Sequence, residues 1–495
     1  MTLSINTLKN IHATEVVVPD KVIFNLLERV LQFGTGVLLR GLPDYFIDKA
    51  NRQGLFNGRI VVVKSTSTGS PSAFDEQDGL YTLCIKGIEN GQKAEENIIC
   101  SAISRVLSAG EHWGEILKCA HNPEMKVIIS NTTEVGISLV KEAISLSPPA
   151  SFPGKLLAFL WERYNAFNGS EASGMVIIPT ELIVGNGDKL KAILLELAAF
   201  NQLDKAFIDW LDKDNYFCNS LVDRIVPGKP DSETITAFQG QTGYEDRLLI
   251  VSEVYRLWAI QGDEKIRSVL SFAEADQGVV IAPDIEIYRE LKLRMLNGTH
   301  TLSCGLAFLT GFTTVKEAMD DDTIAAFVSK VMREEIAPAI PYAVNKQQTD
   351  DFASQVLDRF RNPYIKHQWI AITVQYSAKL KMRVVPVLLN YYQKFNAVPG
   401  RMALGFAAYI AFMQVKKEEG GKYYGELNGL SYPVNDDQAH YFYALKNSIT
   451  PNEHVAAILK NTALWGTDLS LLPGFLPTVQ QMYLALINRE PLKAD

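Results

Sequence analysis

Short apolar runs separated by longer amphipathic segments characterise the first half of the chain. Four of these runs, many of whose residues are β-branched, cover residues 30–33, 60–63, 127–129 and 174–178. Runs this short, joined by segments long enough for crossover helices, are typical of a parallel sheet. After the fourth run, Leu190, Ile193, Leu194 and Leu197 recur at helical spacing, which predicts a helix over residues 189–200 with this stripe buried.

The pattern changes near residue 284. Segments 323–335, 350–361 and 401–416 show helical periodicity, and strand-like runs become scarce. We therefore predict an α/β domain over residues 1–283 and a mainly α-helical domain over residues 284–495.

Composition narrows the class of protein. Of the 495 residues, 47% are hydrophobic and 21% charged, and the net charge is −8, which suits a soluble globular protein and disfavours nucleic acid as a partner. No run approaches the ~18 apolar residues of a membrane span, and the N-terminus has no apolar signal core. The sequence therefore predicts neither a membrane partner nor secretion, and it specifies no oligomeric state.

Cysteine and histidine usage argues against metal and disulfide chemistry. The five cysteines are odd in number and widely spaced, without a CxxC pair, as expected for reduced thiols in a cytoplasm. The seven histidines form no HxxxH or HxH pattern. We therefore expect a cytoplasmic protein without a structural zinc cluster or a catalytic metal.

A glycine pair follows the first apolar run. Gly34 and Gly36 precede a predicted helix from Val37 to about Asn51, and glycine lets a backbone approach a pyrophosphate at a helix N-terminus. Leu39 occupies the place of the usual third small residue. The strand–turn–helix context predicts a dinucleotide site, although an isolated GxG is often only a turn. Arg40 could serve a phosphate or pair with a neighbouring carboxylate.

Two strand ends bear on the cofactor. The second run ends in Lys64 rather than in the acidic residue that accepts from the adenosine ribose, which leaves NAD and NADP both open. Asn131, Thr132 and Glu134 follow the third run, at the edge where open α/β sheets bind their cofactor. We expect these three residues to contact the nicotinamide side of the dinucleotide.

An amine, an amide and an imidazole lie within nine residues of each other in the second half. If the segment is α-helical, Asn297 lies about 140° and His300 about 80° around the axis from Lys292. All three could then converge on one small ligand, where a lysine in an apolar pocket can take the proton of an alcohol. The alternative is a solvated lysine followed by a capping Asn-Gly.

Several motifs together resemble the long-chain mannitol dehydrogenase family of polyol and uronate oxidoreductases. Segment 217–227, built around Val-Asp-Arg-Ile, is similar to a family signature, and the Lys-x4-Asn-x2-His pattern from Lys292 is similar to the family's catalytic motif. The GxGxxxRG pattern of residues 34–41 and Ser-Ala-Lys at 377–379, with Pro386 seven residues on, also match. The resemblance implies a Rossmann-type N-terminal domain, a helical C-terminal domain and metal-free hydride transfer with a nicotinamide dinucleotide.

Within the family, segments 53–58, 130–136 and 361–363 look most like the tagaturonate reductase branch. The resemblance implies an NAD-dependent enzyme that interconverts D-tagaturonate and D-altronate. The alternatives are a relative acting on fructuronate and mannonate or on mannitol and fructose, and a dinucleotide-binding regulator without catalysis.

The resemblance also assigns roles to residues. Lys292 would be the general acid/base, and Asn297 and His300 would hydrogen-bond the reacting oxygen. The residues expected to contact the substrate are Asn186, Asp223 and Lys379, for which a turn asparagine, an internal ion pair and a solvated lysine are the structural alternatives. A uronate also needs a cation for its carboxylate, and the second domain offers a basic cluster that is otherwise a solvated face: Arg361, Lys366, His367, Lys379, Lys381 and Arg383.

Overall fold

The computed structural model describes residues 1–12, 14–65, 72–132, 136–445 and 450–489. The chain divides into two compact units. Unit 1 comprises Met1–Gly87 and Lys93–Ile285, and unit 2 comprises Ile88–Gln92 and Glu286–Asp495.

Unit 1 is built on a six-stranded sheet whose neighbouring strands all run parallel. In chain order the strands are β1 (Leu27–Phe33), β2 (Gly58–Lys64), β3 (Ile103–Ser108), β4 (Val127–Ser130), β5 (Val176–Pro179) and β6 (Tyr216–Phe217). Their spatial order is β3-β2-β1-β4-β5-β6, which is the order of a Rossmann fold. The predicted α/β fold of the N-terminal half is confirmed.

Alternate residues of the central strands point to opposite faces of the sheet and enter two different cores. On β1, Val30 packs in one core while Leu31 and Phe33 pack in the other. On β2, Val62 and Val63 divide in the same way. Since both faces are covered, the strands read as continuous apolar runs rather than as alternating ones.

The helix after β1 differs from the expected continuous helix over residues 37–51. It consists of Val37–Gly41 and Pro43–Arg52, with Leu42 between them at φ −135° and ψ −77°. Pro43 has no backbone N–H and starts the second helix at its first position, where none is needed. The break follows from the Leu-Pro pair.

The other helices of unit 1 include the one predicted over residues 189–200, which starts earlier, at Asn186. Its four-residue stripe of leucine and isoleucine is buried. The α-helices are Ser72–Glu76, Ala109–Cys119, Phe152–Ala166, Asn186–Phe200, Lys205–Lys213, Ser232–Thr242 and Glu264–Val269, and short 3-10 helices cover Leu8–Asn10, Lys21–Asn25, Glu171–Ser173 and Ser271–Ala275.

Two smaller sheets complete unit 1. One has the strand order Val16–Val17, Gln92–Cys100, Tyr81–Glu89 and Ile250–Ser252. The other joins Ser220–Asp223, Leu257–Gln261 and Val279–Ala282. These strands were not predicted from the sequence.

Unit 2 is mainly helical, as predicted. Its α-helices are Glu286–Glu290, Thr299–Leu309, Val315–Met319, Asp322–Lys330, Lys346–Phe360, Trp369–Ile372, Tyr376–Arg383, Val385–Phe395, Gly400–Phe412, Ala439–Leu445, Pro451–Lys460, Thr462–Trp465 and Phe475–Asn488. Leu291–Gly298 and Val331–Ile336 are π-helices, and Ala337–Ala339 and Leu469–Leu471 are 3-10 helices. An antiparallel meander joins Lys417–Glu419, Lys422–Leu427 and Leu430–Pro433.

The core of unit 2 centres on helix Gly400–Phe412, which packs against Thr299–Leu309 and Phe475–Asn488. Glycines let the first two helices approach closely, since a Cβ on Gly405 would lie 3.0 Å from the carbonyl oxygen of Leu302. This contact fixes the helix that carries His300. None of the helices in the described part of the chain has the length and apolar character to cross a membrane.

Candidate active site

The predicted dinucleotide turn connects β1 to the first helix of unit 1. Gly34 has φ +125°, and a Cβ there would lie 2.9 Å from Leu39 Cδ1 and 3.0 Å from the Asn131 carbonyl oxygen. Gly36 is exposed, caps helix Val37–Gly41, and has no atom within 4 Å of its Cβ position. Gly34 is therefore required by the fold, while Gly36 leaves open space beside the backbone, as a close ligand would need.

The close helix packing expected of the missing third glycine occurs two residues after Leu39. A Cβ on Gly41 would lie 2.9 Å from both methyl groups of Val226. Arg224 donates to the Gly41 carbonyl oxygen at 2.6 Å and to that of Glu253 at 2.9 Å. The Val-Asp-Arg-Ile segment thus holds the first helix in place, and this role was missed in the sequence.

Arg40 does not lie at the turn as a phosphate ligand would. Its guanidinium is buried, donates to the Leu248 carbonyl oxygen at 2.5 Å and lies 5.2 Å from the centre of the Tyr81 ring. Burial lowers the pKa of Arg40, against the opposing effect of Tyr81, Asp44 and other acidic groups. Its contacts in the described structure are with a backbone carbonyl oxygen and an aromatic ring, and the phosphate role stays a prediction.

A neutral polar group supports the turn from inside. Gln32, buried near the end of β1, donates to the Gly34 carbonyl oxygen at 3.3 Å and lies 3.5 Å from the Asp44 carboxyl group. Burial raises the pKa of Asp44 to about 8 despite the Gln32 hydrogen bond. At neutral pH most of this carboxyl group is protonated, so it places little negative charge beneath a site proposed for a pyrophosphate.

The loop after β4 is fixed by a buried carboxylate that the sequence analysis missed. Glu181 accepts from the backbone N–H of Thr132 at 2.8 Å and from its hydroxyl at 3.0 Å. Asn131 donates to the hydroxyl of Thr180 at 3.0 Å. Asn131 and Thr132 therefore lie at the predicted sheet edge, held by structural hydrogen bonds, while Glu134 lies outside the described residues.

Asn186, expected to contact the substrate, makes hydrogen bonds within unit 1 through both polar atoms of its side chain. Its side-chain amide donates to the carbonyl oxygens of Pro179, Glu181 and Ser220 at 2.9, 3.1 and 3.1 Å. Its side-chain oxygen accepts from the N–H groups of Gly187 and Ser220 at 3.0 and 2.9 Å. The side chain is fully buried and both polar atoms are hydrogen-bonded, so it also fixes the backbone of its neighbours, while its contact with substrate stays a prediction.

Replacing Asn186 with alanine is expected to lower the free energy of unfolding by about 3–5 kcal/mol, because several buried backbone groups lose their partner. The KM for the substrate should change less than about twofold in the protein that remains folded. Chemical denaturation and steady-state kinetics measure both, with Asn165→Ala, an exposed position on helix Phe152–Ala166, as control. A raised KM at unchanged stability would show instead that Asn186 binds the substrate.

Asp223 and Lys64 both lie at strand ends in unit 1. Asp223 is buried at the end of strand Ser220–Asp223, in register with Leu257. Lys64 is buried at the end of β2, in register with Ser108 of β3. The substrate contact of Asp223 stays a prediction, as does the choice between NAD and NADP that Lys64 leaves open.

In unit 2, Lys292 and Asn297 lie on the π-helix Leu291–Gly298, so the expected α-helical angles do not apply between them. A π-helix has i→i+5 hydrogen bonds, which bring residues five apart closer to the same face than an α-helix does. The α-helix resumes at Thr299 and carries His300. Lys292, Asn297 and His300 are all half-buried.

The His300 ring is held by aromatic contacts. It stacks on Phe360 at 3.9 Å between ring centres and 11° between planes. His367 and Trp369 meet it edge-on at 5.2 and 6.0 Å. Its Nε2 is buried and has no hydrogen-bond partner among the described residues.

His300 is neutral at physiological pH. Burial lowers its pKa well below the usual range, and the positive charges of Arg359, Lys379 and Arg383, with His367 beside it, act in the same direction. A neutral imidazole has one donor and one acceptor nitrogen, so His300 can hydrogen-bond an oxygen without adding charge. The side chains of Arg359, Lys379 and Arg383 therefore place positive charge near this ring.

A buried ion pair fixes the π-helix against the helix that carries Lys379. Arg294 pairs with Glu290 at 2.9 Å and donates to the carbonyl oxygens of Met382 and Arg383 at 2.5 and 3.2 Å. These hydrogen bonds join the π-helix that carries Lys292 to helix Tyr376–Arg383. The two helices therefore keep a fixed position relative to each other. The sequence pattern did not predict this ion pair or the hydrogen bonds of Arg294.

The basic cluster expected to meet a carboxylate divides by exposure. Arg361, Lys366 and Lys381 are exposed, whereas His367, Lys379 and Arg383 are half-buried. Lys379 donates to the Ile372 carbonyl oxygen at 2.9 Å. Among the described residues, no group of three histidine, cysteine or acidic side chains is arranged to hold a metal ion.

Comparison with known proteins matches both halves of the chain to one family. The model of the mannitol dehydrogenase Rossmann domain matches residues 28–270, and that of the mannitol dehydrogenase C-terminal domain matches residues 284–487. An altronate oxidoreductase of Klebsiella pneumoniae (strain 342) is 40% identical over 471 residues, covering 93% of this chain and 95% of that protein. One from Escherichia coli O7:K1 (strain IAI39 / ExPEC) is 38% identical with the same coverage.

Solved structures share the fold. A D-sorbitol dehydrogenase in substrate-free form superposes with a TM-score of 0.80 at 20% identity, covering 99% of both chains. The Pseudomonas fluorescens mannitol 2-dehydrogenase ternary complex with NAD and D-mannitol gives 0.66 at 22% identity, covering 99% of this chain and 97% of the other. With two domain models that together span most of its length and a relative at 40% identity, the chain belongs to the mannitol dehydrogenase family and is an oxidoreductase.

Proposed function

We propose that the protein is an NAD-dependent oxidoreductase that interconverts D-tagaturonate and D-altronate in the cytoplasm. The observation that carries the proposal is the 40% identity to an altronate oxidoreductase over 93% of the chain. We assign dinucleotide binding to residues 1–283 and substrate chemistry to residues 284–495. The five buried free thiols suit a reducing compartment.

The cofactor is a nicotinamide dinucleotide, which supplies the hydride in reduction and accepts it in oxidation when bound. The turn of Gly34 and Gly36 would hold its pyrophosphate, because the open side of Gly36 leaves room for close approach. The edge formed by Asn131 and Thr132, together with Glu134, would border the nicotinamide. We propose NAD rather than NADP from the similarity to the family.

Lys292 acts as the general acid/base in this proposal. In reduction its ammonium group gives a proton to the ketone oxygen, and in oxidation its amine takes the proton of the hydroxyl group. Asn297 and the neutral His300 hydrogen-bond the same oxygen and stabilise the negative charge that develops on it. The fixed His300 ring and the joint made by Arg294 keep these groups oriented.

Steady-state kinetics with a panel of substrates tests the proposed reaction. Purified protein with NADH is expected to reduce tagaturonate with a kcat/KM at least about tenfold above that for fructuronate, since one misplaced hydroxyl group costs roughly 1.4 kcal/mol or more. Fructose should be slower still. Faster turnover of fructuronate or fructose would move the enzyme to another branch of the family, and absence of turnover with all three would favour a non-catalytic binding protein.

A further inference from the structure

Two cations share one face of a helix in unit 2. Lys379 and Arg383 are four residues apart on helix Tyr376–Arg383, so their side chains are neighbours, and both are half-buried. Like charges at this spacing destabilise a helix, and partial burial adds to the cost. The arrangement is unfavourable for folding alone.

Among the residues that the structure describes, neither cation has an acidic partner to offset this cost. Arg383 donates to the Thr301 hydroxyl at 3.0 Å, while its buried Nε has no hydrogen-bond partner in the described structure. Lys379 donates to the carbonyl oxygen of Ile372. Within the described ranges, no carboxylate lies within ion-pair distance of either side chain, and burial lowers the pKa of both.

The acidic groups with an electrostatic effect on Lys379 and Arg383 do not neutralise the charge of these two cations. Cys304 is the first acidic group to act on each cation, but burial raises the pKa of its thiol to about 12, so it is uncharged. Asp436, which also acts on Lys379, accepts from the backbone N–H and the hydroxyl of Ser377 at 2.7 and 2.9 Å. The pair therefore retains net positive charge.

The helix that carries the pair packs against the helix that carries His300. Thr301, the partner of Arg383, follows His300 directly on helix Thr299–Leu309. The charges of Lys379 and Arg383 both act on the His300 ring. An anion bound by these cations would thus lie near the imidazole proposed to hold the reacting oxygen.

We propose that Arg383, together with Lys379, binds the carboxylate of the sugar-acid substrate. The inference rests on the proposed function and deepens it, because it names the group that distinguishes a sugar acid from a neutral sugar. A guanidinium matches a carboxylate with parallel N–H groups, and a half-buried one does so under weaker solvent screening than the exposed Arg361, Lys366 and Lys381.

A matched pair of ketoses tests the carboxylate site. D-tagaturonate and D-tagatose differ in having a carboxylate or a CH2OH group at the end of the chain. With Arg383→Gln, the KM for tagaturonate is expected to rise about 100-fold, the size expected for a lost charged partner, while kcat/KM for tagatose changes less than about threefold. Arg383→Lys should recover part of the loss, since it keeps the charge without the planar donors.

Lys381→Gln is the matched control, since Lys381 is exposed on the same helix, and it should leave both substrates unchanged. Equal losses on tagaturonate and tagatose, or an unchanged KM for tagaturonate, would overturn the inference. If Arg383→Gln does not fold, as judged by its thermal unfolding, Lys379→Gln and Arg383→Lys decide between the same outcomes. A wild-type enzyme that prefers another sugar acid refutes only the choice of tagaturonate, and the comparison is then made with that acid; one that prefers neutral ketoses refutes the carboxylate site as well.

Discussion

Replacing Lys292 with alanine is expected to lower kcat for tagaturonate reduction by about 10³-fold or more, because the variant loses the group that protonates the ketone oxygen. Affinity for NADH, measured by fluorescence titration, should stay within about twofold. Lys292 lies on the π-helix Leu291–Gly298, whose joint to helix Tyr376–Arg383 is made by Arg294. The fold should therefore survive the substitution, and thermal unfolding checks this.

Lys381→Ala controls for the loss of a lysine from unit 2, since Lys381 is exposed and donates at 3.4 Å to the Ala463 carbonyl oxygen. Its kcat should equal that of the wild type. A Lys292→Ala variant that keeps kcat within about tenfold would remove the lysine from the mechanism. Loss of NADH binding together with kcat would indicate a structural role instead.

The parts of the fold that were predictable are those made mostly of apolar side chains that are buried. The runs in β1, β2, β4 and β5 are buried on both faces, so their apolar character shows without any tertiary information. The helix Asn186–Phe200 was visible for the same reason, through one buried stripe. In these segments the secondary structure in the fold is the one that the local sequence favours.

The strands that were missed have a mixed pattern. Strand Gln92–Cys100 is largely exposed over its first residues and becomes buried only at residues 98–100, and β3 contains Ser104 and Arg105 between its apolar residues. Periodicity also cannot separate a π-helix from an α-helix over a segment as short as Leu291–Gly298, because both are helical. The local sequence therefore predicts neither the mixed-pattern strands nor the π-helix.

Side-chain roles were the least predictable part of the site. Asn186 precedes a glycine like a turn residue, yet its hydrogen bonds reach Ser220, 34 residues later in the chain. Arg40 contacts Leu248, 208 residues away, and the loop carrying Thr132 is held by Glu181, 49 residues away. Such partners are set by strand order and not by neighbouring residues.

The two glycines of the turn after β1 differ in what the fold requires of them. Substitutions at the two positions can therefore distinguish an effect on folding from an effect on cofactor binding. Gly34 is required by its positive φ and by the Asn131 carbonyl oxygen, so any side chain there strains the fold itself. Gly36 has φ −62° and ψ 155°, a conformation open to every residue, and free space around its Cβ position. If only the fold mattered, a larger residue at Gly36 would be tolerated.

Gly36→Val is therefore expected to leave the thermal unfolding temperature within about 2 °C of the wild type while raising the Kd for NADH at least about 100-fold, since the side chain fills the space proposed for the pyrophosphate. Gly110→Val is the control, because Gly110 also lies exposed near a helix N-terminus of unit 1 with no atom within 4 Å of its Cβ position. It should keep NADH binding. If Gly36→Val binds NADH as tightly as Gly110→Val does, the dinucleotide does not pass over this turn.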